Sequence, residues 1–108
     1  MIPKTRLAPT PSGYLHRGNL FSFALTWLLA RKDGLQILLR IDDMDRARFR
    51  PEYLEDIFRS LDSLGINYDE GPSGPDDFHS RWSQMHRREL YDYALSQMRQ
   101  DQLLFACT

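Results

Sequence analysis

The chain has 108 residues, room for one domain and one modest core. Its formal charge of −1, from 14 Lys and Arg against 15 Asp and Glu, excludes a general attraction to nucleic acid or to an anionic membrane. A polynucleotide would need a local basic patch. Arg46, Arg48 and Arg50 form the one compact candidate, with a solvated arginine-bearing loop as the plain alternative. A single cysteine, Cys107, excludes an internal disulfide and fits a cytoplasmic chain. No apolar run near the start resembles a signal peptide, and the most hydrophobic stretch, Leu20 to Ala30, is too short to cross a bilayer.

The first element is a strand over Lys4 to Ala8, halted by Pro9. The segment Pro9-Thr10-Pro11-Ser12-Gly13 then forces a turn, because its prolines fix φ and remove donors. Asn19 to Lys32 reads as a helix from the spacing of Leu20, Phe23, Ala24, Trp27, Leu28 and Arg31, with Gly34 as its stop. Phe21, Leu25 and Leu29 fill the remaining face, so the helix is expected to be buried. Leu35 to Ile41 is short, apolar and bounded by glycine and acidic residues, the pattern of a buried parallel strand.

A second helix starts at Pro51, with an apolar stripe of Leu54, Ile57, Phe58, Leu61 and Leu64, and ends at Gly65. Ile66 to Arg81 reads as a loop. A third helix is expected from Ser83 to about Gln100, turning Leu90, Tyr91, Ala94, Leu95 and Met98 inward. Leu103 to Cys107 reads as a third strand. The order β-α-β-α-α-β predicts an α/β fold with a parallel sheet and crossover helices. The chain stops directly after this last strand, so the domain is expected to be incomplete.

The stretch from Arg6 to Asn19 carries the most chemistry. A strand runs into a Pro/Gly turn, and His16-Arg17-Gly18-Asn19 opens a helix. Free backbone N–H groups there would face an anion, backed by the positive end of the helix dipole. His16 would donate to a phosphate oxygen, and Gly18 would let a flat nucleotide approach the backbone. The plain alternative for His16 is a helix cap.

The string Arg6, Ala8-Pro9-Thr10-Pro11-Ser12-Gly13 and Leu15-His16-Arg17-Gly18 resembles the opening signature of class I aminoacyl-tRNA synthetases of the glutamate group. Leu39-Arg40-Ile41-Asp42-Asp43-Met44-Asp45 resembles that family's Leu-Arg-Ile-Glu-Asp-x-Asp segment, with Asp42 in place of Glu and one methylene shorter. Carboxylates at the carboxyl end of a strand suit an ammonium group or a metal ion, and Arg6 suits a carboxylate. Gln84-Met85-His86-Arg87 and Tyr91 resemble the family's Gln-Ser-x-Arg-x-x-x-Tyr, with Met85 where Ser is usual; Gln84 and Arg87 are expected at a pocket edge and Tyr91 in the core.

The resemblance implies the first half of a Rossmann-like catalytic domain over residues 1–108. It implies ATP-dependent activation of glutamate and transfer of the glutamyl group to tRNA. The residues it assigns to ATP are Pro11, Ser12, His16, Gly18 and Asn19, with His16, Gly18 and Asn19 stabilising the phosphates. Arg6, Thr10 and Asp42 would hold glutamate, with Tyr14 and Asp43 as further candidates. Mg²⁺ would arrive with ATP, bound mainly through the phosphates. The glutamyl-queuosine branch, which glutamylates a modified base of tRNA(Asp), has a zinc site near Cys107. One thiolate cannot form such a site, so zinc is expected only with ligands beyond Cys107. No Lys follows Lys32, so the family's later lysine loop has no counterpart. A non-catalytic nucleotide-binding module therefore stands as the alternative reading.

Overall fold

The computed structural model describes residues 2–107. Strands β1 (Lys4–Leu7) and β2 (Gln36–Leu39) lie parallel, joined through helix α1 (Arg17–Lys32). Lys4 pairs with Gln36 and Leu7 with Leu39. Helix α2 (Pro51–Ser63) follows, then a helical turn α3 (Pro75–Asp77), a π turn at Phe78–Trp82, a 3-10 turn at Gln84–Arg87 and helix α4 (Arg88–Gln100). Glu70 adds a third parallel rung on the free side of β2: its carbonyl accepts from the Leu39 N–H at 2.8 Å. Gly71 makes that approach possible. Its φ is +138°, and a Cβ there would stand 2.8 Å from the Leu39 carbonyl oxygen.

Burial alternates along the strands. Ile37 and Leu39 are 0 % exposed, whereas Gln36 and Leu38 are only partly covered; Leu7 is buried, whereas Lys4 and Arg6 are exposed. The expectation of a strand fully buried on both faces is thus corrected, because the packed helices seal only one face of the sheet. The core gathers Leu7, Ile37, Leu39 and Ile41 with Ala30 of α1, Leu54, Ile57 and Leu61 of α2, and Phe78. Each large aliphatic or aromatic side chain buried in this way contributes roughly 1.5–3 kcal/mol, which makes this cluster the main source of stability.

α2 matches its sequence reading, with Pro51 in the first turn and Gly65 at φ +68° just beyond its end. α1 begins two residues earlier than the apolar spacing suggests, because His16 caps it. Its outer face is open. Phe21 is 70 % exposed and Leu25, Leu28 and Leu29 are also exposed, against the expectation of a helix covered all round. A polar cluster ties its C-terminal half to the body: Arg31 donates to Asp69 at 2.8 Å and to Asn67, and Trp27 Nε1 donates to Asn67 at 2.8 Å. Asp69 in turn accepts from the Ile37 N–H at 2.7 Å, so one carboxylate joins helix and strand.

Two further expectations are corrected. α4 buries no side chain fully; Leu90 is 66 % exposed, Leu95 and Met98 are also exposed, and Tyr91 is half-buried. Its main contact is with the 3-10 turn before it, so its apolar stripe has no wall to meet. Residues 103–107 form no strand. Gln102 takes the left-handed φ of +57°, and Leu103 N–H closes back on the Met98 carbonyl at 2.9 Å, which ends the helix and leaves the segment unpaired.

Candidate functional site

The turn after β1 is held by its own chemistry. Pro9 and Pro11 are buried, Leu15 N–H donates to Asp56 of α2 at 2.9 Å, and Tyr14 sets its ring edge-on to Tyr53 with centroids 4.8 Å apart. Above this support lies an open cleft of about 330 Å³ whose walls include Thr10, Ser12, Tyr14, His16 and Asn19. Thr10 and Ser12 share a hydrogen bond between their hydroxyls at 3.1 Å. Pro11 is buried, and Gly18 stands beside the His16 ring. The fold thus brings together Thr10, Ser12, His16 and Asn19 from the sequence-predicted set.

His16 does two things at once. Its Nδ1 accepts the backbone N–H groups of Gly18 at 3.1 Å and Asn19 at 3.3 Å, and its own N–H donates to Asn19 Oδ1 at 3.1 Å. This is a capping box built from His and Asn in place of the usual Ser or Thr and Glu. The expectation of free Gly18 and Asn19 N–H groups facing a phosphate is therefore corrected: His16 occupies them. Because Nδ1 is an acceptor, the neutral ring carries its proton on Nε2, a tautomer assigned from the hydrogen-bond network. The side-chain amide nitrogen of Asn19 meets no acceptor among the described residues. Nε2–H and this amide are the donors left for a ligand.

Arg6 and Asp42 are placed at the carboxyl end of the sheet. Arg6 sits in β1 opposite Leu38 and is exposed, and its side chain forms no hydrogen bond or ion pair among the described residues. Asp42 lies three residues past Leu39, and its N–H donates to the Pro9 carbonyl at 3.2 Å, which ties the acidic loop to the turn bearing Thr10. Asp42 Oδ1 accepts from the Met44 N–H at 3.2 Å. The acidic loop and the signature turn are thereby fastened edge to edge, while Arg6 and Asp42 do not bond each other.

Asp43, a further candidate for glutamate, is taken up by the protein's own groups. It is 1 % exposed, and its carboxylate accepts from Ser83 Oγ at 2.5 Å, from the Gln84 N–H at 2.8 Å and from Arg46 at 3.0 Å. A buried charge needs such partners, and they leave it unavailable to a ligand. Ser83 and Gln84 lie about forty residues away in sequence, so no local pattern announces the contact. The arginine patch also resolves locally: Arg46 stacks on Phe49 at 4.4 Å, Arg48 lies 3.7 Å from Asp45, and Arg50 donates to the Phe49 carbonyl.

A second cavity of about 160 Å³ is lined by residues that include Arg40, Glu70, Trp82, Gln84 and Arg87. Gln84 and Arg87 thus stand at a pocket edge, as their motif implies. Trp82 Nε1 is buried and has no acceptor among the described residues. Among the described residues no group of three His, Cys, Asp or Glu side chains is placed to hold a metal ion, and Cys107 is an exposed free thiol. No described helix is long and apolar enough to cross a membrane.

A parallel α/β sheet with a capped helix N-terminus and an acidic loop at the strand ends defines the nucleotide-binding class of Rossmann-like domain. The chain belongs to the class I tRNA synthetases (E and Q), whose catalytic-domain model matches residues 3–107. It is 45% identical over 104 residues to a glutamyl-Q tRNA(Asp) synthetase of Symbiobacterium thermophilum, covering 94% of this chain and 31% of that protein. It is 39% identical over 107 residues to a glutamate–tRNA ligase of Nostoc sp., covering 99% of this chain and 20% of that protein. The crystal structure of a glutamate-tRNA synthetase from Elizabethkingia anophelis superimposes with a TM-score of 0.76 at 32% identity, over 93% of this chain and 20% of that one. The chain therefore spans between a fifth and a third of the length of these relatives.

Proposed function

We propose that this chain supplies the signature part of an enzyme that activates glutamate with ATP and passes the glutamyl group to an RNA acceptor. The observation that carries the reading is the Asp42 N–H to Pro9 carbonyl bond, which sets the acidic loop against the turn bearing Thr10 and His16. Family membership and the relatives' names support the substrate class. In this reading Arg6 takes the glutamate carboxylate, Asp42 takes its ammonium group and Thr10 closes the contact. His16 Nε2–H and the Asn19 amide meet the ATP phosphates, with Ser12 beside them, Pro11 supporting the turn and Gly18 keeping the His16 ring in place.

An oxygen of glutamate's α-carboxylate attacks the α-phosphorus of ATP, the bond to the bridging oxygen breaks, and pyrophosphate leaves with its electron pair, while the carboxylate assigned to Arg6 is that of the side chain. The product is a mixed anhydride, glutamyl-adenylate. These residues contribute position and charge rather than a nucleophile. Mg²⁺ travels with ATP through the phosphates. Zinc would need ligands additional to the Cys107 thiol. A glutamyl-Q tRNA(Asp) synthetase as the relative at 45% identity, together with Cys107, supports the queuosine base of tRNA(Asp) as acceptor, with tRNA(Glu) as the second reading; the setting proposed is cytoplasmic.

The test is glutamate-dependent exchange of pyrophosphate into ATP, with and without tRNA. It is run on this chain and on a chimera in which the chain replaces the matching segment of the Symbiobacterium thermophilum relative. Exchange by the chimera, lost on His16→Ala, supports the reading. A folded chimera that binds ATP but never exchanges would leave a nucleotide-binding module.

A further inference from the structure

Gln84 is 7 % exposed, and its side-chain amide lies between two opposite charges. With the amide oriented to satisfy both, its nitrogen donates to Asp42 Oδ1 at 2.7 Å and its oxygen accepts from Arg40 at 3.2 Å. The reverse orientation would press two oxygens together at 2.7 Å and two donors at 3.2 Å, so the charges on either side permit one arrangement only. The Gln84 backbone is fixed independently. Its N–H donates to buried Asp43, which also holds the neighbouring Ser83 hydroxyl. The amide is therefore anchored at its root and aligned at its tip.

The geometry points to Gln84 as a positioning residue for the amino-acid site: it fixes the rotamer of Asp42 and, through Asp43, carries the segment after the π turn into the site. Asp42 Oδ1 takes the Gln84 amide and the Met44 N–H, while Oδ2 accepts no hydrogen bond among the described residues and is left for a ligand. Gln84 touches no part of the nucleotide cleft lined by Thr10, Ser12, His16 and Asn19. Its loss should therefore weaken the amino-acid side of the site and spare the ATP side. The inference rests on the proposed role of Asp42 toward the glutamate ammonium group.

Two measurements test it. In the chain itself, the Gln84 side-chain amide protons, read by ¹⁵N NMR, should exchange slowly with solvent, and Asp42→Ala should accelerate them. Fast exchange in the unsubstituted chain would overturn the coupling. In the chimera, Gln84→Met should raise the KM for glutamate by about 10- to 100-fold, the usual effect of removing a partner that orients a ligating side chain, with the KM for ATP unchanged. An equal rise in both KM values would mark a merely structural role and overturn the proposal. A rise with Asp42→Ala but none with Gln84→Met would do the same. No rise with Asp42→Ala would instead sink the glutamate role of Asp42, and with it the positioning of that role.

Discussion

The imidazole of His16 folds back over Gly18, taking that residue's N–H on Nδ1 at 3.1 Å, an approach that the absent Cβ of Gly18 leaves uncrowded. A Cβ on Gly18 would stand 3.0 Å from His16 Cε1 and 3.1 Å from Nδ1. Gly18→Ala should displace the ring, and His16→Ala should remove the cap. The loss of the cap should lower stability by about 1 kcal/mol, or the melting temperature by about 4–8 °C, in thermal unfolding followed by circular dichroism. Unchanged melting of His16→Ala would show that the cap contributes nothing.

Asp43 and Arg46 form an ion pair with unequal ends, the carboxylate buried and the guanidinium side chain 45% exposed. Asp43→Ala leaves the Ser83 hydroxyl and Gln84 N–H without their acceptor, and urea denaturation should register a loss of about 3–5 kcal/mol. Arg46→Ala should cost at most about 1 kcal/mol. Equal losses would mean that the pair, rather than the clasp on Ser83 and Gln84, stabilises this corner.

Asp69 accepts from Arg31 and from the Ile37 N–H, and the guanidinium hydrogen bond is the first cause holding its carboxyl below the ordinary 3.8. Asp77 is lowered in the same direction, first by Arg81 and then by the Ser73 N–H. A depressed folded-state value means that both groups stabilise the fold above 3.8 and lose that contribution as pH falls from there through their lowered values. Asp69→Asn should lower stability at neutral pH and flatten its fall toward about pH 3, measured by urea unfolding across that range. An unchanged acid slope would remove Asp69 from the account.

Gly71 lies where a side chain has neither the space nor the backbone angle. Gly71→Ala should cost about 1–3 kcal/mol and detach the Glu70 rung from β2, read as faster amide exchange at Leu39. Retained protection at Leu39 would show that the rung stands without the close approach.

α1 and α2 were legible because a helical period of apolar residues is a local property, and Pro51, Gly34 and Gly65 mark their ends locally too. The capping role of His16 was legible in principle, since His16 and Asn19 stand at the two positions of a capping box. Burial was harder. Leu90, Leu95 and Met98 have the spacing of a core stripe, yet α4 meets little beyond the preceding turn. Residues 103–107 have strand composition, but a strand exists only through its partner, and pattern alone does not supply one. The Asp43 contacts with Ser83 and Gln84 span about forty residues, and no spacing rule reaches that far.

That separation also sets an order of assembly. The first forty-five residues contain β1, α1, β2 and the acidic loop, and they could pair as they leave the ribosome. The clasp, however, waits for Ser83 and Gln84 to be synthesised and for the intervening loop to close. Until then Asp43 has Arg46 as its nearby partner but lacks Ser83 and Gln84, and the amide that meets Asp42 has not arrived. The cleft beside His16 gains its support once α2 supplies Tyr53 and Asp56, whereas the carboxylate proposed to read the amino acid is set only at the end.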